Sequence, residues 1–105
     1  MIPIEITEGW SERIPIRLYK DGDPFDITTY TAEIEIHDKD GALVMLQGTD
    51  GVSAPTTGDV FYDPDPGGEF LAVSSPYRVR VKLTKNGRDA YVPNRAGLPL
   101  IVRPV

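Results

Sequence analysis

Along most of the chain apolar side chains recur at every second residue, the period of a half-buried β-strand. Ile2, Ile4 and Ile6 alternate with Pro3, Glu5 and Thr7. Proline has no N–H to give a ladder, so Pro3 assigns this first strand to an edge. A second strand carries Ile14, Ile16 and Leu18 between Arg13, Pro15, Arg17 and Tyr19. Lys20-Asp21-Gly22-Asp23 then predicts a tight turn, since Asp-Gly readily takes the positive φ that a primed turn needs. Ile27 is expected to plug the core from a short connector.

A third strand sets Ala32, Ile34 and Ile36 on one face and Thr31, Glu33, Glu35 and His37 on the other. Asp38-Lys39-Asp40-Gly41 turns the chain into Ala42–Leu46, an apolar run with no alternation, so its faces cannot be assigned. A polar loop from Thr49 to Gly58 leads to a short strand, Asp59–Tyr62. Asp63-Pro64-Asp65-Pro66-Gly67-Gly68 excludes regular structure, because proline cannot donate and glycine costs most to order. Phe70, Leu71 and Val73 fit one helical turn capping an end of the fold. The cleanest strand follows, with Tyr77, Val79, Val81 and Leu83 between Arg78, Arg80, Lys82 and Thr84. Lys85-Asn86-Gly87-Arg88 is a hairpin signal. The return strand runs through Ala90–Val92, breaks from Pro93 to Gly97 and resumes at Leu98–Arg103.

About seven short strands with a turn every ~8–12 residues give an all-β fold, an immunoglobulin-like antiparallel β-sandwich, with a barrel as the rival. In that topology the third and the penultimate strands are neighbours. Their outward faces are complementary, Glu33 and Glu35 against Arg78, Arg80 and Lys82. This is read as a self-neutralising sheet face, and more sharply as a contact surface for a partner subunit. Tyr77 opens its strand where sandwich domains place a tyrosine whose hydroxyl returns to the backbone, so it reads as structural.

Composition narrows the picture. The chain has 105 residues, enough for a single domain spanning 1–105. It lacks cysteine, which removes a disulfide framework, a thiolate metal site and a cysteine nucleophile. A net charge of −5 opposes a phosphate-binding groove, so no nucleic-acid partner is expected. No apolar run reaches the length of a membrane span, and the N-terminus lacks signal-peptide character, so no membrane partner is expected either.

Candidate chemistry is sparse. The one histidine, His37, ends a strand beside Asp38 and reads as a surface residue. The pairs Asp21/Asp23, Asp38/Asp40 and Asp63/Asp65 suit calcium by residue type, but none completes a calcium loop with its distal Glu. Aspartate is equally what turns favour for local backbone hydrogen bonds. Trp10, Tyr19, Tyr30, Tyr62 and Tyr91 are candidates for stacking on a sugar, with Tyr19 the one most expected to be exposed, which keeps a carbohydrate- or cell-surface-binding module as an alternative. No catalytic residue, cofactor or metal is expected.

The ordered motifs resemble a known family. Ile6-Thr7-Glu8-Gly9, Ile14-Pro15-Ile16-Arg17-Leu18 and Asp21-Gly22-Asp23-Pro24-Phe25-Asp26-Ile27-Thr28 are similar to the opening of immunoglobulin-like structural modules of tailed-bacteriophage virions. Asp38-Lys39-Asp40-Gly41 resembles the end of the family's next strand. Gly58-Asp59-Val60-Phe61-Tyr62-Asp63-Pro64 resembles its "GxVxYxP", Pro76-Tyr77-Arg78-Val79 its "GxYxxxV" and Val92-Pro93-Asn94 its "fPn". Trp10 stands where the family often has Asp, and Ser75-Pro76 replaces its usual Gly. The best-known member is the N-terminal domain of phage baseplate upper proteins.

Taken as a free-standing module, the chain is implied to be an accessory virion protein, made in the host bacterial cytoplasm. A capsid decoration or cement protein, or a small tail or baseplate adaptor, fits that description. The expected partners are the major capsid protein or tail and baseplate proteins, with a symmetric homo-oligomer. The expected contact residues are Ile2, Ile4, Trp10, Tyr19, Arg78, Arg80, Lys82, Pro93, Leu98 and Leu100. Residues 93–105 are expected to form an extended C-terminal arm, with Pro99 and Pro104 blocking its self-pairing.

Overall fold

A computed structural model describes residues 4–49, 53–65, 69–93 and 97–105. The described residues are almost entirely strand and turn. The strands in chain order are β1 (Ile4–Thr7), β2 (Ile14–Arg17), β3 (Tyr19–Lys20), β4 (Asp23–Pro24), β5 (Thr31–His37), β6 (Leu43–Gly48), β7 (Ser53–Ala54), β8 (Asp59–Tyr62), β9 (Tyr77–Lys85), β10 (Arg88–Val92) and β11 (Leu98–Arg103). One sheet has the order β1-β11-β9-β5-β6, with β10 also paired to β9. A second has the order β2-β8-β7, and β3 pairs with β4 as a small hairpin.

The period-two pattern explains which faces are buried. Ile34 and Ile36 of β5, Val79, Val81 and Leu83 of β9, and Leu100 and Val102 of β11 point to one side. Ile14 of β2 with Val60 and Tyr62 of β8 point from the second sheet into the same core. Connectors close its ends. Ile27 is buried from its loop, as the sequence predicts.

Phe70 has no exposed surface and meets Tyr62 and Tyr77 edge-to-face, at centroid separations of 6.0 and 5.4 Å. Edge-to-face contacts let the positive ring edge meet the negative ring face. The helical turn expected over Phe70–Val73 is a 3-10 turn at Ala72–Ser74, beginning after Phe70, while Leu71 and Val73 are exposed. Tyr77 plays the expected part: its hydroxyl accepts a hydrogen bond from the Leu71 N–H at 3.1 Å. The core ring thereby ties the connector to the start of β9.

Three expectations need correction. The sheets are not purely antiparallel, because β1 runs parallel to β11, Ile4 opposite Leu100 through Thr7 opposite Arg103. Residues Leu98–Arg103 are not an arm outside the core. They form β11, which lies between β9 and β1 and buries Leu100 and Val102. The loop from Thr49 to Gly58 contains β7 and a 3-10 turn at Pro55–Thr57.

The unassigned apolar run becomes β6. It pairs only with β5 among the described residues, and its register slips by one at Val44. Met45 packs against the core, whereas Leu43, Val44 and Leu46 are exposed.

Candidate functional site

The outward side of the large sheet is built by β5 and β9 in register. Glu33 lies opposite Lys82, Glu35 opposite Arg80 and His37 opposite Arg78. The Arg80 Nε donates to Glu35 Oε1 at 2.8 Å, and its guanidinium lies 4.1 Å from the centre of the Tyr91 ring. A planar guanidinium can use its edge for a carboxylate and its face for an aromatic ring at once. Lys82 Nζ is 3.4 Å from Glu33 Oε1. The hydrogen bond to Glu33, reinforced by its charge, holds the Lys82 ammonium pKa above its usual value. Arg80 and Lys82 are thus committed to partners within the sheet, while Arg78 is exposed between His37 and Pro99.

The remaining predicted contact residues separate. Tyr19, Pro93 and Leu98 come together around a cleft of about 390 Å³, which Ile16 and Val92 also line. Tyr19 and Pro93 are exposed and Leu98 is half-buried. Ile4 is half-buried against the core. Trp10 also packs on the core, and its indole N–H is buried without a protein partner. Leu100 is fully buried and works in packing, which corrects its assignment as a contact residue. Ile2 lies outside the described residues.

At the cleft rim Arg17 grips Asp59 with two hydrogen bonds, Nε to Oδ1 at 2.6 Å and a terminal nitrogen to Oδ2 at 3.0 Å. The Thr57 hydroxyl donates to the same carboxylate. The Arg17 bond, then that of Thr57, lowers the Asp59 carboxyl to about 2. In the unfolded chain an aspartate titrates near 3.9, so between those values the unfolded state binds more protons. Stability therefore rises with pH across this window, and Asp59's contribution is lost as pH falls through about 2. Thermal melts of the wild type and Asp59→Asn from pH 5 down to 2 are expected to converge as the pH drops. Parallel curves would remove Asp59 from the acid sensitivity.

Within the three aspartate pairs, Asp38 acts as a turn residue and Asp63 as an ion-pair partner. Asp38 Oδ1 accepts the N–H groups of Asp40 and Ala42, and Asp63 pairs with Arg13 at 2.7 Å.

The feature missed by sequence reasoning is the rim of β6. Leu43, Val44 and Leu46 are each about half exposed, and β6 is the end strand of its sheet. The signal was present as an apolar run with no charge or proline between Ala42 and Thr49. Leu71 and Val73 add exposed apolar surface on a segment bound to the β5–β6 turn through the Lys39 N–H and the Ser74 carbonyl. Comparison of the chain with family models, curated proteins and solved structures finds no match.

Proposed function

We propose that the chain is a non-enzymatic structural protein of a tailed-bacteriophage particle, working through protein–protein contacts. It is a capsid decoration or cement protein, or a small tail or baseplate adaptor, built as an immunoglobulin-like sandwich. The order β11-β9-β5-β6 with β2-β8-β7 supports that fold, since variable-type immunoglobulin domains have a sheet G-F-C-C′ facing one with B-E-D. The Tyr77 hydroxyl bonded back to Leu71, six residues upstream, supports it too, as the tyrosine corner of such domains.

The observation that carries the contact reading is the exposed apolar rim of β6, at Leu43, Val44 and Leu46. Exposed apolar surface gathered on one rim is the signature of a surface that meets a partner. The ordered motif resemblance supplies the particle.

Peptide mass spectrometry of purified particles, quantified against the major capsid protein, tests this. A near-stoichiometric ratio assigns the chain to the head lattice, and a few copies per particle assign it to the tail or baseplate. Absence from particles overturns the reading. It would leave the alternative, a carbohydrate- or cell-surface-binding module, which the exposed Tyr19 beside its cleft favours. Glycan-array binding that disappears with Tyr19→Ala would establish that alternative.

A further inference from the structure

Among the described residues the outer edge of β6 has no strand neighbour, and it borders a groove with two unlike walls. On one side are Val44, Met45, Leu46 and Gln47, and on the other Asp63, Asp65 and Glu69, around a space of about 700 Å³. Gln47 fixes the spacing of the walls. Its Nε2 donates to the Asp63 carbonyl at 2.9 Å, and its Oε1 accepts the Asp63 N–H at 2.7 Å. The amide side chain thus mimics a strand neighbour and holds the acidic segment beside β6. Glu69 accepts the Tyr62 hydroxyl hydrogen bond, which fixes the far wall to the core.

A sheet edge is a template for another strand unless lysine, proline, a bulge or a cover blunts it. Here the slip at Val44 disturbs the start of β6, but Met45–Gly48 continues as regular strand without a charge or proline.

We propose that this edge binds an extended segment of a partner protein, apolar at alternate positions with Lys or Arg between them, added as a further strand. Main-chain bonds to β6 would supply affinity, and the two faces of the added strand would read the groove. Apolar side chains would cover Val44 and Leu46, and cations would face the carboxylates of Asp63, Asp65 and Glu69.

Charge decides against a second copy as the occupant. Each copy carries −5 overall, and three carboxylates, Asp63, Asp65 and Glu69, line the groove. The exposed apolar side chains of β6 are also too few to bury the roughly 1,200–2,000 Å² of a standard stable interface. A basic strand meets neither obstacle.

The proposal rests on the reading of the chain as a contact protein, but not on the particle. Particle mass spectrometry and the titration below can fail independently. The full chain, labelled with nitrogen-15, is titrated at low salt with a short acetylated peptide alternating lysine and valine. Saturable shifts of the Leu43–Gly48 amide resonances are expected. Asp65→Lys and, separately, Leu46→Ser are each expected to weaken binding about tenfold. Both replace exposed side chains, and unchanged amide spectra away from the groove verify the fold. A glutamate–valine peptide is expected to leave the β6 resonances unmoved.

Three results would overturn the proposal. One is equal binding of a block peptide with the lysines and valines separated. Another is shifts scattered over the surface. The last is a concentration dependence of the β6 resonances without peptide, which would assign the edge to a second copy.

Discussion

Phe70→Ala is expected to cost about 3–5 kcal/mol of unfolding free energy, the largest loss among single truncations of the core. Phe70 has no exposed surface, so the lost ring leaves a cavity as well as a lost transfer term. Its position makes collapse of that cavity difficult. The ring is held edge-to-face between Tyr62 of β8 and Tyr77 of β9, so it fills the space between strands of different sheets. Both tyrosines are restrained by their hydroxyls, Tyr62 on Glu69 and Tyr77 on the Leu71 N–H, and neither can easily swing inward.

Small domains are stable by only about 5–15 kcal/mol, so this one change removes a large share of the total. Urea denaturation of wild type, Phe70→Leu and Phe70→Ala measures it. The leucine variant is expected to fall between the other two. A loss below about 1 kcal/mol for Phe70→Ala would mean that the neighbouring rings refill the site.

Strands with a polar face declared themselves. In β5 and β9 the alternation defined the buried side, and the complementary outward charges do meet, with the structure supplying the register, Glu33 with Lys82 and Glu35 with Arg80. Local turn chemistry was equally legible: Asp21-Gly22 and Asn86-Gly87 both have positive φ at the two central positions. These features depend on neighbours in sequence, or on an alternation that survives any choice of partner.

What escaped depends on distant pairing. β6 has apolar residues on both faces, and nothing local tells an exposed leucine from a buried one. Phe70, Leu71 and Val73 looked alike as apolar residues, yet only Phe70 enters the core. β11 was legible as a strand over Leu98–Arg103, but its place inside the sheet, rather than in an arm beyond the core, was not. Pro99 in fact lies in the strand, opposite Arg78, and the described ladder to β1 begins only at Leu100. A missing N–H is tolerated where no ladder bond is required of it. The cleft uniting Tyr19, Pro93 and Leu98 was legible residue by residue but not as a group, since its walls come from opposite ends of the chain.

Gly58→Ala is the second large expected effect, about 3 kcal/mol or more, for two separable reasons. The residue ends the Pro55–Thr57 turn in the left-handed region, at φ 72° and ψ 18°. A side chain there costs roughly 1–2 kcal/mol through the clash of Cβ with the following carbonyl. The second reason is space. A Cβ on Gly58 would lie 2.6 Å from the carbonyl oxygens of both Leu18 and Phe25. Those are backbone atoms, and they cannot rotate away as a side chain can. They are also held together, because the Phe25 N–H donates to the Leu18 carbonyl and the Leu18 N–H donates to the Gly58 carbonyl. Relieving the clash would break the seam that joins the β3–β4 hairpin to β8. Gly41→Ala is the internal control, with φ 86° and nothing within 4 Å of its Cβ, so it retains the conformational cost alone. Denaturation of both variants is expected to show Gly58→Ala as clearly the more destabilised. Equal losses would mean that the hairpin shifts freely and that the close approach at Gly58 contributes nothing to holding it in place.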